Sequence, residues 1–191
     1  MKAATMALVV LGLLCAGCGP CPRRKGEAPK SGVELKSIIL QWQLNEAEKQ
    51  YLGLESTSGA FGLSDIRAKV LIIWLFDMYC PNCQKAAPRV NEVYRLVNSG
   101  RHSNDIKLIG VGAGNSSLEV ASFKKKLAIP FPAFPDENLK MAEIMSKSVY
   151  PYFLVLRLEQ GEKIEVVFGR KLSVFDPSGF LALVTKESGL K

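Results

Sequence analysis

The stretch AKVLIIWLFDMYCPNCQKAAP, residues 68–88, decides how this chain is read. AKVLIIWLF (68–76) is an apolar run rich in β-branched and aromatic residues, and it predicts a strand buried on both faces near the middle of a sheet. A helix is expected to follow from near Cys80 to about Asn98, opened by Pro81, which has no N–H to lose at a first helical position. Its inward face would carry Ala86, Val90, Val93, Tyr94 and Val97 at helical spacing, and Gly100 would end it. Two cysteines, Cys80 and Cys83, thus fall where a hidden strand hands over to a helix.

A C-x-x-C pair can be a structural bond, half of a metal site or a redox centre. A closed zinc site needs four ligands, yet the other cysteines, Cys15, Cys18 and Cys21, all lie just after the N-terminal apolar run, and the only histidine is His102. A permanent bridge over so small a loop would restrict the unfolded chain little. The redox reading gains from position, because the free N–H groups and dipole of a helix N-terminus stabilise a thiolate. Cys80 is then the attacking sulfur, and Cys83, one turn on, the sulfur that resolves the mixed disulfide. Lys85 would favour the thiolate of Cys80 and Asp77 would oppose it.

With its aromatic Tyr79, its C-x-x-C and Pro88 five residues after the second cysteine, this segment resembles the active site of the thioredoxin superfamily. A second family mark, a cis-proline before a buried strand, is matched by Val149-Tyr150-Pro151-Tyr152-Phe153. The resemblance implies that this loop faces the cysteines and that Tyr79, Tyr150 and Pro151 meet the substrate chain. It also implies an α/β thioredoxin-like fold, a central mixed β-sheet flanked by helices. Among such groups the chain looks like the TlpA/ResA-like membrane-tethered thiol–disulfide oxidoreductases. An N-terminal hairpin and the roughly 68 residues between Cys83 and Pro151, room for a central insertion, carry that likeness. The implied cofactor is none beyond the Cys80–Cys83 couple, with no metal. The implied partners are exported proteins bearing thiols or disulfides and a membrane electron donor of the DsbD/CcdA kind. The chain departs from the family at Trp74, where thioredoxin has a buried acid.

Outward from this segment, SIILQWQL (37–44) reads as a strand, and NEAEKQ as a helical turn with Asn45 and Glu48 in capping-box positions. A hairpin is expected across 51–64, a strand over 105–115, and a helix capped by Ser116 or Ser117 running to about Leu127. IPFPAFPDEN reads as a proline-stiffened loop and LKMAEIMSK as a short helix whose Met141 and Met145 pack in the core. Residues 151–170 predict a hairpin turning at Gln160-Gly161, and residues 177–188 a last helix capped by Asp176.

The first residues, MKAATMALVVLGLL, place Lys2 before an apolar run too short to span a bilayer, which is the layout of a secretory signal. Leu14-Cys15-Ala16-Gly17-Cys18 then resembles a bacterial lipobox, although Cys15 stands where leucine is usual. The expected organisation is a signal peptide over 1–17, a linker over 18–33 and a thioredoxin-like domain over 34–191, with Cys18 the site of lipid attachment. That places the protein in the periplasm or cell envelope, tethered to a membrane. The tetrapeptide Cys18-Gly-Pro-Cys21 repeats thioredoxin's motif but is followed by the linker PRRKGEAPKSG rather than a strand and helix, so it is set aside and Cys21 keeps no role. The net charge of +7, or +6 without Lys2, includes Arg23, Arg24, Lys25 and Lys30 beside this anchor, where they suit either anionic headgroups or a solvated linker. No basic stripe interleaved with aromatics supports nucleic-acid binding.

Two rival readings share the fold. A peroxiredoxin would have threonine where Asp77 stands. A non-catalytic binding lipoprotein would keep Cys80–Cys83 as a permanent brace, and a copper carrier of this class would use a longer C-x-x-x-C.

Overall fold

The protein is described from a computed structural model, over residues 35–41, 44–54, 59–145, 149–159 and 163–191. The expected signal, lipobox with Cys18, Cys21, basic linker and turn at Gln160-Gly161 fall outside the described residues.

VLIIWLF forms β3 (Val70–Phe76), and all seven of its residues are buried. Strand β1 (Ile39–Gln41) and β2 (Ala60–Gly62) precede it. β4 (Ile106–Ala113), β5 (Ala133–Asp136), β6 (Tyr152–Glu159) and β7 (Lys163–Lys171) follow. The main sheet has the order β5-β4-β3-β6-β7, with β3 at its centre. β4 and β5 run parallel to β3's direction, β6 antiparallel to it, and β7 antiparallel to β6.

Alternation along β3 divides the core. Leu71, Ile73 and Leu75 join one apolar cluster, while Val70, Ile72, Trp74 and Phe76 join the other. The first cluster is completed by the N-terminal elements and by Met141 and Met145, as the sequence predicts. The second is completed by α2 (Pro81–Ser99), α3 (Ser117–Lys126) and α5 (Pro177–Ser188) through Val90, Val93, Phe123, Phe180 and Val184. Full burial of each large aliphatic or aromatic side chain contributes roughly 1.5–3 kcal/mol, so β3 alone is a principal source of cohesion.

Caps fall where the residues place them. Asn45 and Glu48 form a reciprocal capping box on α1 (Glu46–Leu52), Ser116 and Glu119 do the same on α3, and Asp176 caps α5.

Three expectations are corrected. Residues 51–64 do not fold back as a hairpin: Tyr51 and Leu52 close α1, Gly53 ends it at φ 69°, and β2 pairs instead with β1, Leu40 opposite Phe61. Of the described residues in the strand expected over 37–44, only Ile39–Gln41 form β1, while Ser37, in a turn, and Ile38 precede it and Leu44 leads into α1. The proline-rich 129–138 segment contains β5, whose Ala133 and Phe134 pair with Gly110 and Val111. An edge strand tolerates Pro135, since only one side of its backbone must meet a neighbour. β5 and the short α4 (Lys140–Ile144) fill the sequence between α3 and β6.

Candidate active site

Strand register brings five chain segments to one end of the sheet. β3 ends at Phe76 beside Gly112 of β4, which lies beside Pro135 near the end of β5. On the other side Leu75 lies beside Tyr152, the start of β6, and Tyr152 beside Lys171, the end of β7. The segments that leave or enter these strands, 77–80, 114–116, 137–139, 149–151 and 172–176, therefore share that end.

Cys80 is the N-cap of α2, with extended backbone (φ −75°, ψ 114°), and Pro81 takes the first helical position. The Cys83 and Gln84 amides donate to the Cys80 carbonyl at 3.0 and 3.1 Å, which winds the first turn directly onto the cysteine. Cys80 is half-buried and Cys83 fully buried; both are free thiols. The Cys80 Sγ lies 3.7 Å from the Tyr150 carbonyl oxygen, and the Tyr150–Pro151 bond is cis. Residues 70 positions apart thus meet at the sulfur, as the resemblance implies.

Burial pushes the Cys83 thiol well above its ordinary range, a hydrogen bond with the Asp77 backbone acts against this, and the Cys80 thiol and the Asp77 charge add to the rise. The two sulfurs are thus unlike, one reachable and one sheltered. Asp77 is itself engaged: its Oδ1 accepts from the Tyr79 amide at 3.0 Å and from Asn115 Nδ2 at 3.4 Å. Lys85 is exposed on α2. Trp74, in the place of the family's acid, is fully buried among Phe76, Phe123 and Phe131.

Tyr79 is 66% exposed, and its hydroxyl donates to Glu119 Oε1 at 2.5 Å. That bond raises the Tyr79 hydroxyl and lowers the Glu119 carboxyl from their ordinary values. Burial raises the hydroxyl of Tyr150. Tyr79, Leu118, Leu139, Val149 and Val174 are large apolar or aromatic side chains left exposed, and all lie in or next to the segments gathered at this end. Among the described residues, no group of three or more His, Cys, Asp or Glu side chains could hold a metal ion.

Residues 68–163, from the approach to β3 through the start of β7, match the family model described as thioredoxin-like. The chain belongs to the thioredoxin-like family.

Among similar curated proteins, thiol-disulfide oxidoreductase ResA of Bacillus subtilis (strain 168) is 26% identical to this thioredoxin-like chain over 117 residues, 61% of the chain and 63% of that protein. ResA of Geobacillus thermodenitrificans is 24% identical over 133 residues, 70% of the chain and 69% of that protein. The match to the B. subtilis and Bacillus cereus relatives spans 63% and 60% of their length. Among solved structures, a secreted Mycobacterium tuberculosis disulfide oxidoreductase homologous to E. coli DsbE superposes with a TM-score of 0.54 at 14% identity, covering 83% of this chain and 98% of that one. MTB dsbF, in mixed oxidized and reduced forms, gives 0.56 at 16% identity, covering 81% and 97%. At those identities the likeness is one of fold.

Asn115, Glu119 and Gln84 also shape this thioredoxin-like site and were not singled out in the sequence. Ser116-x-x-Glu119 has the form of a capping box, a signal that leads to the helix end but not to Tyr79. Asn115 had no such signal, because its partners Asp77 and Met78 lie 38 and 37 positions away.

Proposed function

We propose that this chain is a thiol–disulfide oxidoreductase that reduces disulfides of exported proteins outside the cytoplasm. The observation that carries the reading is the pairing of a half-buried Cys80 at a helix N-cap with a buried Cys83 one turn on. The name of the ResA relatives supports it.

The reaction follows from that pairing. The Cys80 thiolate attacks one sulfur of a substrate disulfide, forming a Cys80–substrate bond and releasing the other substrate sulfur as a thiolate. Cys83 then loses its proton and attacks Cys80 Sγ. A Cys80–Cys83 disulfide forms, the second substrate thiolate departs, and two electrons have passed to the substrate. A buried Cys83 suits the second step because it meets only what Cys80 has already bound. The Tyr150 carbonyl beside Cys80, with Tyr79 and Pro151, would line the bound segment. The exposed apolar residues around this end favour a polypeptide over a small polar oxidant. A membrane donor of the DsbD/CcdA kind would return the pair to the dithiol, and lipid on Cys18 would hold the protein at the membrane.

Trapping tests the reading. Cys83→Ser should accumulate mixed disulfides with exported proteins through Cys80, and Cys80→Ser should not. Equilibration with glutathione or dithiothreitol buffers should give a potential above about −300 mV, since bonds more resistant than that behave as structural ones. A wild-type protein that neither reduces insulin nor yields trapped partners from the Cys83→Ser form would end the proposal.

A further inference from the structure

The N-terminal end of α3 touches the turn that carries Cys80 at two separate places. Inside, Asn115 is 2% exposed, and its side-chain oxygen accepts the Met78 amide at 2.9 Å while its nitrogen donates to Asp77 Oδ1 at 3.4 Å. Outside, Glu119 accepts the Tyr79 hydroxyl at 2.5 Å. Glu119 is fixed from its own side, because its other oxygen accepts the Ser116 amide at 2.7 Å and the Ser116 hydroxyl at 2.8 Å. From α2, Gln84 Nε2 donates to the Met78 carbonyl at 2.9 Å, so the N–H and the C=O of Met78 are each held by a side chain from a different element. Three consecutive residues, Asp77 to Tyr79, are therefore pinned immediately before Cys80. The Cys80 amide donates to the Asp77 carbonyl at 3.1 Å and the Cys83 amide to the Cys80 carbonyl at 3.0 Å, so the turn is joined through backbone bonds to both cysteines.

We propose that Asn115, with Glu119 as its outer partner, is a positioning residue for the dithiol. It holds the 77–79 turn so that Cys83 can reach Cys80 once Cys80 carries substrate. The inference rests on the oxidoreductase reading of the pair. Neither side chain meets substrate or transfers a proton. Their effect is on the effective concentration of one sulfur at the other, a quantity that small displacements of reacting groups change steeply. Capture of a disulfide by Cys80 is bimolecular and gains little from that order. Resolution by Cys83 is intramolecular and depends on it: the Cys80–Cys83 bond forms as the Cys80–substrate bond breaks, the substrate sulfur leaves as a thiolate, and the Cys83 proton passes to solvent.

The test reacts the reduced full-length protein with oxidised glutathione, quenches in acid at intervals and separates dithiol, glutathione adduct and internal disulfide by mass. Asn115→Ala should slow conversion of adduct to internal disulfide about tenfold, with capture within about twofold of wild type. The equilibrium constant for forming the internal disulfide from oxidised glutathione should fall by a similar factor. Tyr79→Phe removes only an exposed hydroxyl, so it is the variant that will fold if Asn115→Ala does not. It should slow the same step about two- to threefold, the scale of one modest hydrogen bond. A merely structural Asn115 would lower the melting temperature of oxidised and reduced forms alike and leave the resolution rate and the equilibrium constant unmoved. That result, or an unaltered resolution rate in Tyr79→Phe when Asn115→Ala is unfolded, overturns the inference while leaving the oxidoreductase reading intact. A wild type that never captures glutathione removes both.

Discussion

The two ends of the central sheet are built from similar strands and finished in opposite ways. At the end where β3 begins, polar groups close on one another. Lys69 pairs with Asp105 at 2.9 Å, and that bond holds the Asp105 carboxyl below its ordinary range. His102 lies 3.4 Å from Asp105, and Lys107 donates to the Ser103 carbonyl at 2.8 Å with its charge 4.8 Å from the Tyr51 ring. The Tyr51 hydroxyl accepts the Leu108 amide at 2.8 Å, at a stretch of β4 that β5, pairing only from Gly110 onward, does not reach. A side chain there substitutes for a missing strand. At the end where β3 finishes, two thiols stand free and apolar side chains face solvent. The first end is closed by polar pairs; at the second, polar pairs hold the turn before Cys80 while Cys80 and several apolar side chains stay accessible. On the oxidoreductase reading proposed above, the difference teaches that one end of the strand closes the fold and the opposite end holds the chemistry.

That contrast can be broken at its middle. Ile73 is fully buried in β3 and serves both ends, so Ile73→Ala should cost roughly 2–5 kcal/mol of stability by urea unfolding. A smaller loss would mean that the strand is not the shared support.

A second variant acts on the closed end alone. Tyr51→Phe leaves the Leu108 amide without its partner, and should cost roughly 1–3 kcal/mol in the same measurement. Insulin reduction under conditions where the variant is folded should stay within about twofold of wild type; a large fall would show that the closed end bears on the chemistry after all.

The smallest effect is one of pH and belongs to the open end. Because burial raises the Cys83 thiol, the folded dithiol keeps a proton that the unfolded chain loses above about pH 8.5. The native state then binds more protons than the unfolded one, so stability falls as pH rises. This contribution is fully present below the unfolded value and is lost towards the raised folded one, with a slope of at most about 1.4 kcal/mol per pH unit. Comparing reduced wild type with Cys83→Ser between pH 8 and 9.5 should show the slope in the first and its loss in the second. Equal slopes would mean that the thiol is not sheltered.

How much of this was legible beforehand depends on how far apart in sequence the cooperating groups lie. β3, α2 and the caps Asn45, Ser116 and Asp176 are local features, written within a few residues by alternation, helical spacing and side chains that bond their own backbone. β5 was hidden, because its prolines read as loop and only the neighbouring Gly110–Ala113 edge gives it a partner. The misread hairpin failed for the same reason: β1, the partner of β2, lies on the far side of α1.

By itself the sequence determined that a wholly apolar strand would run into a helix opened by Cys80-Pro81, since burial and helix initiation are properties of contiguous residues. Tertiary structure alone decided that the Tyr150 carbonyl would stand at that sulfur and that Asn115 would hold the turn before it. Hydrogen bonds between groups many positions apart leave no periodicity in the chain, and they exist only once the sheet has brought its strand ends together.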